Sequence, residues 1–140
     1  MCLTLETDYA VRIVGCLTTE GRRADAKYIA EQTGVTLRFA LKILQKLVAT
    51  EIVRSFKGIQ GGYELARHPS EITLYDVVSA IEGDYYLNKC HDENFVCTNT
   101  QKGCCAFRQA FTKASEQVRL ELSSHNFEEL VRARETDKVT

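Results

Sequence analysis

The feature that most constrains this chain is a very short link between two amphipathic helical segments. Apolar residues recur with helical spacing on both sides of the tripeptide Gly34-Val35-Thr36. Glycine is typical of the end of a helix and threonine of its start. We therefore predict helices over residues 26–33 and 37–50, preceded by a helix over residues 10–20. Two helices joined this closely are typical of a helix–turn–helix.

The third helix is predicted to present one apolar and one polar side. The apolar stripe has helical spacing and consists of Leu37, Ala40, Leu41, Leu44, Leu47 and Val48. The outward side carries Arg38, Lys42, Gln45 and Lys46. Arginine and lysine donate to guanine, and glutamine pairs with adenine. With Thr36 at the N-terminal end, this face is a candidate surface for contact with the DNA major groove. The alternative is an ordinary solvated face.

A β-hairpin is predicted directly after the third helix. Residues 52–56 and 63–65 have β character, and a glycine-rich turn separates them. The fold class is therefore mainly α with a small β-hairpin, a winged helix-turn-helix. Glycines at the tip of such a wing let its backbone approach a phosphate or the minor groove. The candidate DNA contacts of the wing are Arg54, Lys57, Gly58, Gln60 and Gly61.

Charge is distributed unevenly along the chain. The formal net charge is -1, which excludes a uniformly basic nucleic-acid binder. Residues 38–67 nevertheless carry six Lys and Arg residues against two Glu residues, an electrostatic pattern that suits DNA. No apolar run approaches the roughly 18 residues of a membrane span, and the N-terminus has no basic leader. We expect a cytoplasmic protein with no membrane partner.

The second half of the chain is predicted to contain a long helix that needs a partner. A capped helix ends at Gly83, and apolar residues then recur over residues 106–124. A lone helix with so large an apolar face is most economically covered by the same helix of a second subunit, although it could also pack on its own domain. We expect three parts: a DNA-binding domain (residues 1–83), a cysteine-bearing loop (84–105), and a dimerisation helix with its tail (106–140).

Four of the six cysteines lie in one short polar stretch, which is the second notable feature of the sequence. They are Cys90, Cys97, Cys104 and Cys105. Thiolates gathered on a loop can bind an iron–sulfur cluster or zinc, and clustered cysteines in a cytosolic protein are more often metal-binding or redox-active than disulfide-bonded. The alternative is a flexible loop with unrelated cysteines. Cys2 and Cys16 lack such spacing, and Cys16 is expected in the core.

The order of these motifs resembles the family of winged-helix transcription regulators that includes IscR, NsrR, RirA and CymR. The resemblance rests on LTLETDYAVRI at the start, KGIQGGYELA in the wing, ITLYDVVSAIEG after it, and a cysteine loop leading into a long helix. The pattern is closest to the NsrR and RirA types. It implies a homodimer that binds a palindromic operator in double-stranded DNA. Most members sense iron–sulfur status, nitric oxide or iron, whereas CymR-like members lack the cluster and respond to cysteine metabolism.

The resemblance also implies a set of ligands for an iron–sulfur cluster, with [4Fe–4S] favoured over [2Fe–2S]. Cys90 and Cys97 match the first two cysteines of the cluster-binding members. Cys105 matches the third, with Cys104 as its rival. The aspartate that NsrR-type members donate from the other subunit corresponds to Asp8, which could instead cap the helix N-terminus or serve as a charge near it. The histidine that IscR uses is absent, and His91 is more often a solvated loop residue than a ligand.

We therefore expect a dimeric DNA-binding transcriptional repressor whose operator binding is controlled by an iron–sulfur cluster that senses nitric oxide, iron or redox status. One alternative is a regulator of the same fold without the cluster, responsive to zinc, thiol redox state or cysteine metabolism. Another is a small redox or cluster-transfer protein, against which stands the absence of a nucleotide motif or a CxxC pair. No constellation of nucleophile and base indicates an enzyme.

Overall fold

The computed structural model describes residues 2–98 and 105–139, and these form six helices and one β-hairpin. In chain order the elements are α1 (Leu5–Glu20), α2 (Ala26–Thr33), α3 (Leu37–Ala49), β1 (Val53–Phe56), β2 (Gly62–Leu65), α4 (Leu74–Glu82), α5 (Ala106–Ser123) and α6 (Phe127–Val139). One-turn 3₁₀ helices lie at Pro69–Glu71 and Lys89–His91. The predicted fold class, mainly α with a small hairpin after a helix–turn–helix, is confirmed.

Side-chain caps fix the boundaries of the helices in the first half of the chain. Thr36 Oγ1 accepts a hydrogen bond from the Phe39 N–H at the start of α3, and Gly34 ends α2 with a left-handed φ of 70°. Thr73 and Asp76 form a reciprocal capping box at the start of α4. These are the local signals from which the helices were predicted, so the helix–turn–helix link lies where expected.

Helices α1 to α4 enclose the core, and α3 contributes to it with a narrower face than the sequence indicates. Ile43, Leu44 and Leu47 are fully buried, but Leu37 and Leu41 are 46% and 44% exposed. The prediction that these two leucines belong to the buried stripe is wrong, and Ile43 was left out of it. At about 100° per residue, positions 37 and 41 lie at the edge of the buried face.

The wing is a two-stranded antiparallel sheet that a third segment joins. Val53 pairs with Leu65 and Phe56 with Gly62. Ala24, between α1 and α2, exchanges two backbone hydrogen bonds of 2.9 and 2.7 Å with Tyr63. Gly62 has φ 144°, and a Cβ there would lie 2.6 Å from the Ala24 carbonyl oxygen. Only glycine fits at this position, because any side chain would push the wing off the α1–α2 connection.

The two C-terminal helices differ in how much of their apolar surface is covered. Phe127, at the start of α6, is 2% exposed and belongs to the main core, where its N–H donates to the Ile72 carbonyl at 3.0 Å. On α5, by contrast, Phe107 is 75% exposed, Phe111 49% and Val118 36%. Helix α5 therefore carries an apolar face that the described residues leave open. Among the described residues no helix is long and apolar enough to cross a membrane.

Candidate nucleic-acid interface and cysteine loop

The outward side of α3 is polar and accessible. Arg38, Lys42 and Gln45 are exposed and lie opposite the buried face, with Thr36 at the N-terminal end of the helix. No acidic residue occurs within α3. The helix that follows the tight turn therefore presents donors of the kind that contact base edges and phosphates.

Glu6, in the first turn of α1, modifies this basic surface. Its Oε1 lies 2.7 Å from Lys46 Nζ and 3.8 Å from Lys42 Nζ. Lys46 is only partly exposed. Its charge is therefore paired with Glu6 more closely than the charge of Lys42 is. The sequence analysis did not identify Glu6, because no spacing within α1 or α3 indicates that the two helices bring these charges together.

A backbone hydrogen bond within the turn and contacts from Arg23 support the wing. The Gly61 N–H donates to the Gly58 carbonyl at 2.9 Å, and a Cβ at Gly61 would lie 2.6 Å from the Phe56 oxygen. Arg23 donates to the Gln60 carbonyl at 3.0 Å, and its guanidinium carbon lies 3.4 Å from the centroid of the Phe56 ring. Sequence reasoning missed Arg23, whose role depends on the α1–α2 connection meeting the wing.

The wing combines positive charge with one apolar side chain at its tip. Arg54 and Lys57 are exposed, and Ile59 is fully exposed, at 106% of its reference area. An apolar residue between Gly58 and Gln60 in a basic turn is a signal that the sequence analysis could have used. Apolar side chains of this kind are inserted between base steps by many proteins that bind the minor groove.

The cysteine loop has one anchored and one open part. Cys90 lies in the 3₁₀ turn Lys89–His91 and is partly buried, whereas Cys97 is exposed. Cys105 is the N-cap residue of α5 and is partly buried. Cys104, the rival third ligand, lies outside the described residues. Each of the three described cysteines carries a free thiol.

Three free thiols on one loop form a donor set that suits an iron–sulfur cluster or zinc. Within residues 2–98 and 105–139, however, no three His, Cys, Asp or Glu side chains lie close enough together to hold a metal ion. The residues present therefore fit such a centre by their chemistry, and their assembly around it stays a prediction.

Asp8, the predicted fourth ligand, lies on the surface of α1. Its Oδ2 is 2.8 Å from Arg12 Nη2, and both side chains are about half exposed, at 50% and 48%. The N-cap of α1 is Thr4, so Asp8 is not the capping residue. The ion pair orients the carboxylate and leaves it accessible, and its role as a ligand stays a prediction.

A carboxylate from α4 stabilises the start of α1. Glu82 Oε1 accepts hydrogen bonds from the Thr7 hydroxyl at 2.6 Å and from the Thr4 N–H at 2.9 Å. These hydrogen bonds, that from Thr7 first, hold the pKa of Glu82 below its usual value. The segment that carries Glu6 and Asp8 is thereby tied to the rest of the domain.

Two expectations about single residues are corrected by their surroundings. Cys16 is partly exposed rather than in the core, and it lines a hollow of about 310 Å³ with residues of α1, α2 and α6. Burial, and then the charge of Glu20, raise the pKa of the Cys16 thiol, so it is not an activated thiolate. His91 is partly buried rather than an ordinary solvated residue: its ring stacks on Tyr86 with centroids 3.9 Å apart.

Comparisons with known proteins agree with this arrangement. The family model described as "Rrf2: Iron-dependent Transcriptional regulator" matches residues 3–133. Protein aau3 of Rhizobium meliloti is 33% identical over 136 residues, covering 96% of this chain and 87% of that protein. The HTH-type transcriptional regulator NsrR of Oceanobacillus iheyensis is 30% identical over 147 residues, covering 99% of this chain and 100% of that protein.

Solved structures share the fold. T. potens IscR superposes with a TM-score of 0.75 at 22% identity, covering 97% of this chain and 90% of that one. CymR, the global cysteine regulator of B. subtilis, superposes with a TM-score of 0.76 at 21% identity, covering 95% and 98%. Transcription regulation is a non-enzymatic role, as expected from the sequence. With the winged helix, its basic face and the family match together, the chain belongs to the Rrf2 family of DNA-binding transcriptional regulators.

Proposed function

We propose that this protein is a cytoplasmic homodimeric repressor whose affinity for a palindromic operator is set by an iron–sulfur cluster on residues 84–105. The observation that carries the proposal is the exposed basic side of α3 and the wing, followed in the same chain by three free cysteines. Neither feature alone would distinguish a sensor from a simple DNA-binding protein.

The DNA-binding part of the proposal assigns one groove to each element. The N-terminal end of α3 enters the major groove, where Arg38, Lys42 and Gln45 reach base edges and Thr36 reaches the backbone. Lys46 contributes less to DNA binding than Lys42, because Glu6 binds it. The wing follows the neighbouring minor groove, with contacts from Arg54, Lys57, Gly58, Gln60 and Gly61.

The dimer is proposed from the open face of α5. Phe107, Phe111 and Val118 recur with helical spacing and are exposed in the single chain. A second copy of α5 covers this face in a two-fold arrangement, and two recognition helices related by that axis match a palindromic operator.

The cluster is assigned to Cys90, Cys97 and Cys105, with Cys104 as the rival of Cys105 and Asp8 of the partner subunit as the fourth ligand. An iron–sulfur cluster bound there, [4Fe–4S] in preference to [2Fe–2S], would supply iron with which nitric oxide or oxygen can react. A carboxylate is a weaker ligand for such iron than a thiolate, so Asp8 is the ligand most easily exchanged. Its ion pair with Arg12 holds the carboxylate when it is not bound to iron.

Each of the three parts of the chain then has its own role. Residues 84–105 carry the ligands, residues 106–140 carry the dimer contact, and residues 1–83 bind DNA. If Asp8 bridges to the loop of the other subunit, its release removes that tie between the subunits and changes the spacing of the two α3 helices. Such a two-state element is what a sensor of this kind requires.

A second candidate function is a regulator of the same fold that uses thiols or zinc without iron. One observation of the sequence favours its thiol form. Cys104 and Cys105 are adjacent in sequence, which suits thiol oxidation more than joint ligation of one metal.

The proposal is tested by iron, acid-labile sulfide and the visible spectrum of protein purified without oxygen, together with selection of binding sites from a random double-stranded DNA library. We expect stoichiometric iron and sulfide, absorption by cysteine-ligated iron, and a palindromic selected site. DNA selection without iron or sulfide, even after reconstitution, would favour the second candidate. Failure to select any DNA would contradict both.

A further inference from the structure

The side of α5 next to its open apolar face carries three polar residues that contact the cysteine loop. Thr112, Ser115 and Arg119 are spaced i, i+3 and i+7, so they form one stripe along the helix. Leu87 donates its backbone N–H to Ser115 Oγ at 2.8 Å. Ser115 is fully buried. The loop is therefore attached to α5 at a well-packed point shortly before Cys90.

His91 makes the second attachment, and its hydrogen bond has a defined direction. His91 Nε2 lies 2.8 Å from Thr112 Oγ1, while the single Thr112 hydroxyl proton is donated to the Arg108 carbonyl at 2.8 Å. Thr112 Oγ1 must then accept, so His91 Nε2 carries the proton that it donates. The His91 ring is thus fixed both in tautomer and, by its stack on Tyr86, in plane.

Tyr86 provides the third attachment. Its ring lies 4.5 Å from the guanidinium carbon of Arg119 and is stacked on His91 at an interplanar angle of 12°. Burial lowers the pKa of Arg119, but the hydroxyls of Tyr86 and Tyr75 outweigh that effect, so the guanidinium remains charged. Residues 86–91 are therefore attached to α5 at three successive turns.

We infer that this polar stripe is a clamp that presets the position of Cys90 on α5, with His91 and Thr112 as the positioning residues. The ligand role of Cys90 rests on the proposed function, but the clamp itself consists of contacts within the metal-free chain. His91 and Cys105 line one hollow along α5, and Thr112 lies seven residues, or about 10 Å, from Cys105 along the helix. Two of the three thiols thus lie on segments that contact each other directly.

The clamp positions Cys90 before any metal binds, whereas Cys97 is not held in this way. Residues 93–98 are exposed, and Cys97 with them. Because Cys90 is already positioned, formation of a metal centre requires Cys97 and its exposed neighbours to be brought to it, which reduces the conformational entropy lost on binding. It also couples the thiols to the helix whose neighbouring face is proposed to form the dimer, because movement of Cys90 relative to Cys105 would break the contacts of residues 86–91 with α5.

The test is the alkylation rate of each cysteine in the reduced, metal-free full-length protein, measured by mass spectrometry with iodoacetamide. Thr112→Val keeps the shape of the side chain but removes the acceptor of the His91 hydrogen bond, and Thr112→Ser keeps the hydroxyl. We expect Thr112→Val to raise the Cys90 rate about fivefold, with Cys97 and Cys2 unchanged, and Thr112→Ser to stay near the parent rate. His91→Ala should resemble Thr112→Val.

Equal alkylation rates of Cys90 in the valine and serine variants would contradict the proposed clamp. A rise of equal size at every cysteine would also contradict it, because it would indicate general unfolding. A second measurement uses protein reconstituted with ferrous iron and sulfide, bleached by a chelator. We expect faster loss of the visible absorption in Thr112→Val than in Thr112→Ser. If no iron is bound but Cys90 is protected as described, the proposed cluster fails and the clamp stands.

Discussion

At the scale of single residues, the positive charge that α3 presents to DNA depends on Glu6 as well as on Lys42 and Lys46. A carboxylate 2.7 Å from Lys46 Nζ competes with phosphate for that cation. The effect on binding is electrostatic and therefore depends on salt, which makes it separable from effects on folding or on base contacts.

Replacement of Glu6 by glutamine removes this competition without changing the size of the side chain. We expect Glu6→Gln to bind random-sequence double-stranded DNA more tightly, and the slope of log K against log salt to become steeper by about 1, because one more cation is available to phosphate. Fluorescence anisotropy over a range of KCl concentrations measures both. Glu116→Gln, on α5, makes the same change in net charge far from α3, and an equal effect in that control would refute the assignment.

Lys57 and Ile59 at the tip of the wing are predicted to contribute in physically different ways. Lys57→Ala should weaken binding to all sequences and reduce the salt slope by about 1. Ile59→Ala should weaken binding to the selected operator by about tenfold with an unchanged slope, because it removes apolar contact rather than charge. Titrations at several salt concentrations distinguish the two. An Ile59→Ala protein with parental affinity would show that the exposed isoleucine does not enter the groove.

At the scale of elements, the N-terminus of α1 is held by a carboxylate whose contribution depends on pH. The hydrogen bonds from Thr7 and Thr4 lower the pKa of Glu82. A group whose pKa is lowered by folding stabilises the protein above its ordinary pKa, and that contribution is lost as the pH falls through the lowered value.

Glu82→Gln is therefore expected to lower the Tm by a few degrees at pH 7, since the amide oxygen is a weaker acceptor than the carboxylate. The difference from the parent protein should shrink as the pH falls below about 4.5, the ordinary pKa of glutamic acid. Thermal melts at pH 7 and in acid check this, with Glu93→Gln in the exposed loop as the control. A difference that grows in acid would mean that the sign of the linkage is wrong.

The sequence predicts best those features that depend on interactions between residues close together in the chain. The bounds of α2, the start of α3 and the capping box at Thr73 follow from interactions within a few residues, and they are confirmed. Leu37 and Leu41 were misassigned because periodicity alone does not show how wide a buried face is.

The contacts that the sequence missed are tertiary. The pairing of Glu6 with Lys46, the support of the wing by Arg23 and the clamp at Thr112 each join segments from different elements. No spacing along the chain encodes such contacts. The metal ligands were assigned by resemblance, and a polar loop without periodicity offers no local pattern from which their geometry could be derived.

At the scale of the whole molecule, the open face of α5 is predicted to hold the dimer together. Phe111 and Leu120 are both exposed apolar residues of α5, but they point in directions about 180° apart. Phe111→Ser should therefore shift the protein from dimer to monomer at micromolar concentration, while Leu120→Ser should not. Sedimentation velocity measures the two states. Dissociation caused equally by both substitutions, or by neither, would contradict the proposed interface.

The central claim is that the cysteine loop controls the recognition helices. It is tested most directly by the Kd for the selected operator, measured without oxygen on one iron-loaded preparation before and after chelation, with Cys97→Ser in parallel. We predict that the two states of the parent protein differ at least about tenfold, the size of an ordinary allosteric coupling, and that Cys97→Ser shows no difference. Equal Kd values for the loaded and stripped parent protein would contradict the account.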